Sequence, residues 1–515
     1  MTKKRNIAVV DLFAGPGGLG EGFSSLKEGT GSSATYPFRI ALSVEKEEFA
    51  WRTLRLRAYY RLLILQGKSL TPYYDYVAGR ARSPYNQATE SLWERAGEEA
   101  IQFEIGSEGA GRTLHAKVKQ IQEQNEHWIL VGGPPCQAYS LVGRARNKGN
   151  KDYKPEEDKR HFLYTHYLEL IRKFRPSIFV MENVKGILSS KVSGMSIFGK
   201  LLEDLRAADT KDRRAYRIYS LAKGASVYTG PDGKRVDPHD FIVRSEFFGI
   251  PQARHRVILL GIREDVAPEY FVPLDKKVMV TVSDALRDLP KLRSGLSKND
   301  SVEKWKQTVR EQAQRAIDSL RELDSAEDRK RIGGVLRSIV NGKLPHTCKG
   351  ALRTSPSKVS PTAYGRKMRD KNLAFVLNHE ARRHMEKDLA RYLYAAAYAL
   401  VHGVSPSQKD YPKSLAPAHK NWFSGNFADR FRVQLRSEPS TTVTCHIAKD
   451  GHYYIHFDPR QCRSLTVREA ARLQSFPDNY FFEGNRTQQY VQVGNAVPPM
   501  LARQIAKKVR AVLKD

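Results

Sequence analysis

The chain has 515 residues and 40% of them are hydrophobic, so it is long enough to bury more than one core. Its 86 lysines and arginines exceed its 56 aspartates and glutamates, and the formal net charge of +30 predicts a partner rich in phosphates, although an anionic membrane surface would feel the same field. No apolar run is long enough to cross a bilayer and no secretory signal is evident, which excludes a membrane protein and predicts a cytoplasmic one.

The first element is an apolar strand over residues 7–13, which leads into a glycine-rich turn and the start of a helix near Glu21. Glycines in such a turn let the backbone approach a ligand closely, and the amino end of a helix favours polar or negative groups. A second strand ends at Glu45, where a carboxylate can accept both hydroxyls of a ribose. This pair of elements is typical of nucleotide-binding proteins in general.

The next stretch, 45–66, has a helical pattern with four arginines, and residues 67–111 form an insertion of no evident purpose. The apolar run 128–131 then ends in Gly-Gly-Pro-Pro-Cys-Gln. A buried strand followed by this stiff loop would hold the Cys136 thiol at the carboxyl end of a sheet, where open α/β folds place their sites. A small buried thiol in a loop is the structural alternative.

Two further strands carry charged residues at their ends. The strand 177–181 runs into Glu182, and a strand at 257–261 follows Arg254 and Arg256. Residues two apart in a strand project from the same face, so both guanidinium groups are expected to point towards one base oxygen or phosphate. A carboxylate at the end of a strand, beside a loop that holds a thiol, predicts a catalytic role for these residues rather than a purely structural one.

In this order, and with the stretches 463–478 and 492–499 near the end of the chain, these motifs resemble the DNA (cytosine-5)-methyltransferase family. The similarity extends over residues 6–262 and 460–512, and the segment between them has no family-wide pattern. The shared signatures are Pro-Cys-Gln at 135–137, Glu-Asn-Val at 182–184 and Gln-x-Arg-x-Arg at 252–256.

The resemblance implies transfer of a methyl group to carbon 5 of cytosine in DNA. That carbon is a poor nucleophile, so a thiolate must first add to carbon 6, and Cys136 is the residue for this addition. The addition pushes electron density onto ring nitrogen N3, where Glu182 would act as a general acid. In the family, arginines at the positions of Arg254 and Arg256 line the cytosine pocket. Because the target carbon is inaccessible inside a duplex, the base would have to flip out of the stack.

The methyl donor that the resemblance implies is S-adenosylmethionine, with Glu45 on its ribose and no metal. The residues expected around it are Phe13, Gly15, Gly17, Gly18, Glu45, Asn495 and Val497. The family usually carries a Gly-Asp pair at the end of a third strand, in contact with the adenine. The matching stretch, 105–117, offers only Glu108 as an acid, which leaves the adenine contact unassigned. The four cysteines are far apart and lack metal-ligand spacing.

Strands alternating with helices predict an α/β fold with a doubly wound, mostly parallel sheet. The resemblance makes it a class I, Rossmann-like S-adenosylmethionine-dependent methyltransferase with a smaller target-recognition domain inserted. We expect the catalytic domain at 1–274 and the target-recognition domain at 275–458. A C-terminal segment, 459–515, is expected to return to the catalytic domain.

The expected recognition domain has helical patterns at 301–323 and 382–401, with a basic, loop-rich tract at 349–371 between them. Residues 440–444 and 449–456 have the patterns of a strand and a hairpin. In the family, a similar threonine-rich stretch lies against the DNA backbone near the flipped nucleotide. The residues expected to contact DNA are Gln137, Ser140, Gln252, Thr442 and Thr444.

Three functions remain open. The leading one is a DNA cytosine-5 methyltransferase of a bacterial restriction-modification system, which acts as a monomer on double-stranded DNA and protects it from a partner restriction endonuclease. A branch of the family methylates transfer RNA, but its members are typically compact, and the long insert argues against it. A catalytically silent DNA-binding relative would have no need of the nucleophile Cys136.

Overall fold

The computed structural model describes residues 6–30, 34–135, 163–189, 191–192, 195–206, 215–223, 237–350, 360–418, 422 and 430–514. The chain divides into two compact units. The first unit combines Met1–Gly249, Arg254–Val278 and Ala496–Asp515, and the second combines Ile250–Ala253 and Met279–Asn495. Each unit has a hydrophobic core of its own.

The first unit is built around an eight-stranded sheet. Its strands are β1 (Ile7–Leu12), β2 (Phe38–Glu45), β3 (Ala100–Gln102), β4 (Trp128–Gly132), β5 (Ile178–Val184), β8 (Tyr216–Ser220), β9 (Ile242–Arg244) and β11 (His255–Arg263). They follow the order β3-β2-β1-β4-β5-β11-β8, and β9 also pairs with β11. Strands β1 to β5 are parallel, whereas β11 runs antiparallel to β5, β8 and β9. This arrangement confirms the predicted α/β fold with a mostly parallel sheet.

Helices and a small hairpin complete the first unit. The helices are α1 (Gly18–Ser24), α2 (Glu48–Leu65), α3 (Thr71–Val77), α4 (Glu90–Glu99), α5 (Ala110–Gln124), α6 (Leu163–Phe174), α7 (Ile197–Arg206) and α15 (Pro499–Val512), and the hairpin joins β6 (Lys191–Val192) to β7 (Met195–Ser196). One face of β1 contributes Ala8, Val10 and Leu12 to a core shared with α5 and α6. Gly22 lets α15 approach α1, because a Cβ there would lie 2.3 Å from the Cβ of Ala502.

The insertion at 67–111 supplies α3, α4 and the third strand of the sheet. Its helix α4 packs on the predicted basic helix, α2, through an edge-to-face contact between Trp93 and Tyr59 with ring centroids 5.7 Å apart. The Arg55 guanidinium lies 4.1 Å from the centre of the Trp93 ring. The insertion is therefore packed structure that closes this edge of the sheet.

The second unit is mainly helical. Its elements are β10 (Gln252–Ala253), α8 (Val282–Leu286), β12 (Gly295–Leu296), α9 (Val302–Ser319), α10 (Ala326–Val340), α11 (Ala363–Met368), β13 (Arg383–His384), α12 (Glu386–His402), β14 (Ser440–Thr441), α13 (Val467–Leu473) and α14 (Arg486–Asn495). The two predicted helices are confirmed as α9 and α12, except that 382–385 precede α12 and contain β13, which pairs with β12.

The predicted hairpin at 449–456 is wrong. That stretch is turns with a single bridging residue, Ile455, which pairs with Val433 and Ser464 instead of with its own neighbours. The predicted strand at 440–444 is only two residues long, since β14 pairs with β10 alone.

The second unit extends to Asn495, so residues 459–495 pack here and only 496–515 belong to the first unit. Buried arginines account for this difference from the expected boundary. The Arg463 guanidinium donates to the Leu292 carbonyl at 3.1 Å, and the Arg472 guanidinium donates to the Ala285 carbonyl at 2.8 Å and pairs with Asp288. Such buried charges are tolerated only when they are paired and hydrogen-bonded, which ties this segment to the unit that holds their partners.

Candidate active site

The glycine-rich turn lies between β1 and α1 at the carboxyl end of the sheet. Its backbone is left-handed at Phe13, Gly15 and Gly17, with φ of 55°, 56° and 93°. A Cβ built on Gly15 would meet no atom within 4 Å, so the turn faces open space. The Gly15 amide donates to Glu45 Oε2 at 2.8 Å, which fixes the turn against the end of β2. The structure therefore brings the predicted turn and the predicted acid together.

Glu45 keeps acceptor capacity after these bonds. Its other oxygen, Oε1, accepts from the amides of Lys46 and Glu47, both at 2.9 Å. A carboxylate has about four lone-pair sites, and the backbone amides around Glu45 use three of them. The carboxylate is oriented by backbone amides, and it can still accept a hydroxyl of a ligand.

The C-terminal motif reaches the same turn through Val497. A Cβ on Gly18 would lie 2.1 Å from the carbonyl oxygen of Val497, so only glycine permits this approach. Val497 is buried, and it belongs to the first unit. Asn495, the other predicted residue of this motif, is the last residue of α14, is exposed and belongs to the second unit.

The buried carboxyl of Asp11 lies under the turn and was not singled out from the sequence. It is fully buried, Oδ2 accepts from the Gly20 amide at 3.1 Å, and Oδ1 has no hydrogen-bond partner among the described residues. Burial is the main cause that raises the pKa of Asp11 to about 7; the Gly20 amide lowers this pKa and the nearby Glu45 raises it. Asp11 is therefore protonated over much of the range where an ordinary carboxyl is charged.

Replacing Asp11 with asparagine is expected to change how stability depends on pH. Since the folded-state pKa lies above the unfolded one, the contribution of Asp11 to stability is complete below about pH 3.8 and is lost as the pH rises towards about 7. Each tenfold change in an acid dissociation constant corresponds to about 1.4 kcal/mol, so Asp11→Asn should gain a few kcal/mol relative to the unmodified chain between about pH 4 and 8.

Urea unfolding of both proteins at several pH values measures this difference. Glu123→Gln, on an exposed part of α5, is the control and should follow the unmodified chain. Parallel stability curves for Asp11→Asn and the unmodified chain would contradict the protonated state.

The acid at the end of the third strand is Glu104. It follows β3 by two residues, and its Oε1 lies 3.1 Å from the Nζ of Lys46, the neighbour of Glu45. The sequence pattern missed it because the stretch matched to the family began at Ile105, one residue too late. The strand β3 lies within the 67–111 insertion, and a three-residue strand gives little periodic signal.

Glu182 and Arg256 form the charged pair of the site. Glu182 lies within β5 rather than just beyond it, and the Arg256 Nε is 2.9 Å from Glu182 Oε1, with both side chains less than one fifth exposed. A Cβ on Gly133 would lie 3.0 Å from Glu182 Oε2, and the Asn183 amide donates to the carbonyl of Pro134 at 3.5 Å. The loop that leads to Cys136 therefore passes directly over this carboxylate.

The expectation that Arg254 and Arg256 share one strand face is wrong. Arg256 lies in β11, but Arg254 precedes that strand, is only 3% exposed, and its amide donates to the Ser245 hydroxyl at 3.0 Å. The break between β10 and β11 removes the strict alternation on which the expectation depended. Only Arg256 reaches the carboxylate in the described contacts.

Cys136, Gln137 and Ser140 lie outside the described residues. The threonines of the second unit are described, and both are held by internal bonds. Thr442 Oγ1 donates to the Ala253 carbonyl at 2.7 Å, and Thr444 Oγ1 is 3.0 Å from the hydroxyl of Tyr454.

Gln252, an expected DNA contact, is completely buried. Its Oε1 accepts from the Val443 amide at 2.8 Å, while its Nε2 donates to the carbonyl of Leu473 and the Oε1 of Gln474. Gln252 thus positions the threonine-rich segment through its hydrogen bond to the Val443 amide.

Within the described ranges, no group of three or more histidine, cysteine, aspartate or glutamate side chains has the arrangement of a metal site. The helices of those same ranges include none that is both long and apolar enough for a membrane span.

A mostly parallel sheet whose glycine-rich turn is hydrogen-bonded to an acid at the end of β2 is typical of nucleotide-binding α/β proteins, and the Glu182–Arg256 pair lies at the same edge of the sheet. Comparison with known proteins identifies the family. The C-5 cytosine-specific DNA methylase family matches residues 103–511. The chain belongs to this family, which confirms the enzyme class predicted from the motifs.

Individual relatives support the same family assignment. The chain is 33% identical over 528 residues to the type II methyltransferase M.Bpa9945I of Bacillus paralicheniformis, covering 98% of this chain and 99% of the relative. It is 28% identical to the type II methyltransferase M.AgeI of Thalassovita gelatinovora, with coverage of 75% and 83%. It is 25% identical to the DNA (cytosine-5-)-methyltransferase M.ApeKI of Aeropyrum pernix, with coverage of 75% and 81%.

A solved structure supports the fold. The crystal structure of a putative DNA modification methyltransferase encoded within an E. coli prophage superposes with a TM-score of 0.51 at 20% identity, covering 99% of this chain and 100% of that one.

Proposed function

We propose that the enzyme transfers a methyl group from S-adenosylmethionine to carbon 5 of a cytosine flipped out of a specific duplex DNA sequence, through a covalent bond between the Cys136 sulfur and carbon 6. The observation that carries the proposal is the approach of the 133–135 loop, immediately before Cys136, to a glutamate held by an arginine. A nucleophile, an acid and a cation are what addition to an aromatic base requires.

The chemistry assigns a task to each side chain. The Cys136 thiolate adds to carbon 6, and a proton from Glu182 compensates the charge that develops on N3. Carbon 5 then carries the nucleophilic electron pair and takes the methyl group, which leaves S-adenosylhomocysteine as the product of the donor. Loss of the carbon 5 proton to water, return of the N3 proton to Glu182 and departure of the thiolate restore the aromatic ring. Arg256 holds Glu182 in place, and Arg254 supports the cytosine pocket from its buried position.

The residues around the glycine-rich turn fit S-adenosylmethionine as the methyl donor. The open space above Gly15, the left-handed turn and the remaining acceptor capacity of Glu45 form a cradle for a nucleoside. We assign the ribose to Glu45 and the adenine to Glu104. When bound, S-adenosylmethionine supplies the methyl group on its sulfonium. Besides Glu45 and Glu104, the residues that we assign to this cradle are Phe13, Gly15, Gly17, Gly18, Asn495 and Val497.

Replacing Gly18 with alanine is expected to weaken S-adenosylmethionine binding by at least about tenfold, a loss of about 1.4 kcal/mol. The added methyl cannot be accommodated 2.1 Å from the Val497 carbonyl, so the C-terminal segment must move away from the turn. Calorimetric titration of the donor measures the change.

Gly111→Ala is the matched control, because a Cβ there meets nothing within 4 Å in helix α5. Equal donor affinities for the two variants would argue against a pocket wall at Val497.

We assign the choice of DNA sequence to the second unit, which contains residues 279–458 of the expected target-recognition range 275–458. The basic tract and the threonine-rich segment are the parts of it with suitable chemistry. Thr442 and Thr444, with Gln137 and Ser140 of the first unit, are the proposed DNA contacts. Removing the base from the stack costs a few kcal/mol, which phosphate contacts offset.

We further propose that the enzyme protects the DNA of its host from a partner restriction endonuclease. The support is the type II naming of its relatives, which are restriction-modification methyltransferases. We propose a monomer, because a single base is modified at a time, and a place in the cytoplasm in association with the nucleoid, where the DNA substrate lies.

The test is transfer of labelled methyl groups from S-adenosylmethionine to duplex DNA and to transfer RNA in parallel, with bisulfite sequencing of the DNA. The expected result is label in DNA, with a fixed sequence around each protected cytosine. Label confined to transfer RNA, or DNA binding without label, would replace the proposal with one of the two alternatives.

A further inference from the structure

The buried phenol of Tyr454 holds the threonine-rich segment, 440–444, at two points. The Tyr454 side chain is only 2% exposed. Its hydroxyl donates to the Thr442 carbonyl at 3.0 Å and accepts from the Thr444 amide at 3.1 Å. The same oxygen lies 3.0 Å from the Thr444 hydroxyl, and either of these two oxygens could be the donor. One phenol therefore fixes the backbone at both threonines and contacts the side chain of one of them.

Other hydrogen bonds hold the segment between these points. The amide and the hydroxyl of Thr441 both donate to Gln434 Oε1, at 2.9 and 3.1 Å. The Val443 side chain is buried, whereas the side chains of Thr442 and Thr444 are partly exposed. A ligand that approaches this segment therefore meets two threonine hydroxyls in a fixed arrangement.

The two exposed hydroxyls differ in where their hydrogens go. A threonine hydroxyl has one hydrogen to donate and two lone pairs that accept. Thr442 donates its hydrogen to the Ala253 carbonyl at 2.7 Å. A phosphodiester oxygen carries no hydrogen, so it binds only a hydroxyl whose own hydrogen is free. Thr442 can accept a hydrogen bond from the amino group of a base, but it cannot donate to a phosphate while it is bonded to Ala253.

The hydrogen of Thr444 can be redirected, because its partner is itself a hydroxyl. While Tyr454 donates to the Thr442 carbonyl, the Thr444 hydrogen points to the phenol oxygen. If Tyr454 turns its hydrogen to Thr444 Oγ1 instead, Thr444 can donate outwards. The Thr442 carbonyl then loses a neutral hydrogen bond, and the phosphate gains a charge-assisted one, which is roughly twice as strong. An approaching phosphate therefore favours the exchange.

We propose that Thr444, rather than Thr442, donates its hydroxyl hydrogen to a phosphate of the DNA backbone, and that Tyr454 is the positioning residue that frees this hydrogen. The inference rests on the proposed function in one respect, that duplex DNA is the ligand, and it does not depend on methyl transfer. Tyr454 is buried and acts through Thr444. Phosphate contacts fix the register of a protein on a duplex, so this pair sets where the threonine-rich segment lies on the backbone.

The test begins with two substitutions of the same shape in the full chain. The ligand is a fluorescent duplex selected for binding from a random-sequence pool, and its affinity is measured by anisotropy without S-adenosylmethionine. Thr444→Val should weaken binding about tenfold, the loss expected for one hydrogen bond to a charged group. Thr442→Val is the matched control and should stay within a factor of about three, because its hydroxyl has no hydrogen to give to a phosphate.

A change in the DNA identifies the partner of Thr444. Each phosphate of the duplex is replaced in turn by a neutral methylphosphonate, which removes the charge of the acceptor. At one position the replacement should weaken binding of the unmodified chain and of Thr442→Val about tenfold, and it should leave binding of Thr444→Val unchanged. A duplex without such a position, or one where the effect disappears in Thr442→Val instead, would overturn the assignment of Thr444.

Tyr454→Phe tests the positioning role. It should weaken DNA binding about as much as Thr444→Val does, and the double variant should be no weaker than either single variant, because both changes remove one contact. In methyl transfer, the KM for DNA should rise while kcat stays the same. Tyr411→Phe is the control and should bind DNA normally, because Tyr411 is a buried tyrosine of the same unit whose hydroxyl donates to the Phe431 carbonyl at 3.2 Å.

Losses that multiply in the double variant, or equal losses in Thr442→Val and Thr444→Val, would overturn the proposal. Thermal unfolding shows whether Tyr454→Phe keeps its fold. If it does not, the two threonine variants and the methylphosphonate duplexes decide the proposal by themselves. Absence of methyl transfer with DNA binding intact would contradict the proposed function and would leave these binding comparisons valid.

Discussion

Replacing Cys136 with alanine is expected to reduce methyl transfer at least about a hundredfold and to leave donor and DNA binding largely in place. The reason is chemical: without addition at carbon 6 the ring remains aromatic, and carbon 5 has no electron pair to offer. The measurement is single-turnover transfer of labelled methyl to duplex DNA, with separate titrations of S-adenosylmethionine and DNA.

Cys348→Ala is the control, because Cys348 is a free, partly exposed thiol in the second unit. It should retain full activity. A second readout uses DNA with 5-fluorocytosine at the target, where the fluorine cannot leave as a proton does. The unmodified enzyme should form a complex that survives denaturation, and Cys136→Ala should not. More than about a hundredth of the normal rate in Cys136→Ala would contradict the assignment of the nucleophile.

The part of the site that the sequence predicted well consists of residues at the ends of long, apolar strands. The turn after β1, Glu45 at the end of β2 and Glu182 in β5 are all preceded by buried runs whose pattern is clear. Parallel strands bring their carboxyl ends to one edge, so the order of motifs along the chain was enough to predict a common site.

The part that the sequence did not predict depends on packing between distant segments. Glu104 was missed because β3 is short and lies within the insertion, and the role of Gln252 depends on a hydrogen bond to Val443, far along the chain. The burial of Asp11 is likewise a tertiary effect, since nothing in a single strand says that one carboxyl oxygen will have no partner among the described groups. Local pattern carries no information about such contacts.

The extent of the second unit has a similar explanation. The stretch 463–478 was recognised as a family motif, but its arginines were given no role from the sequence. In the fold, Arg463, Arg468 and Arg472 are among the largest fully buried side chains, and their partners lie in the second unit. Burial of a charge is decided by the partner it finds, which sequence spacing does not reveal.

Replacing Glu182 with glutamine is expected to lower the rate of methyl transfer by about 10² to 10⁴, the usual contribution of a general acid. Glutamine keeps the size of the side chain and an acceptor oxygen for Arg256, which lies 2.9 Å from the glutamate, but it cannot deliver a proton to N3. The loss should therefore fall on kcat, with little change in the KM of S-adenosylmethionine. Glu264→Gln, which breaks another arginine–glutamate pair at an exposed position, is the control and should be fully active.

The pairing with Arg256 makes a sharper test. If Arg256 acts by holding Glu182, the double variant Glu182→Gln, Arg256→Met should be hardly slower than Glu182→Gln alone, because the arginine has no acid left to orient. Independent roles would give losses that multiply. The geometry favours the first outcome, since Arg256 Nε contacts one carboxylate oxygen and the loop before Cys136 lies against the other. Multiplying losses would mean that Arg256 contacts the substrate itself, and its assignment would move from positioning to binding.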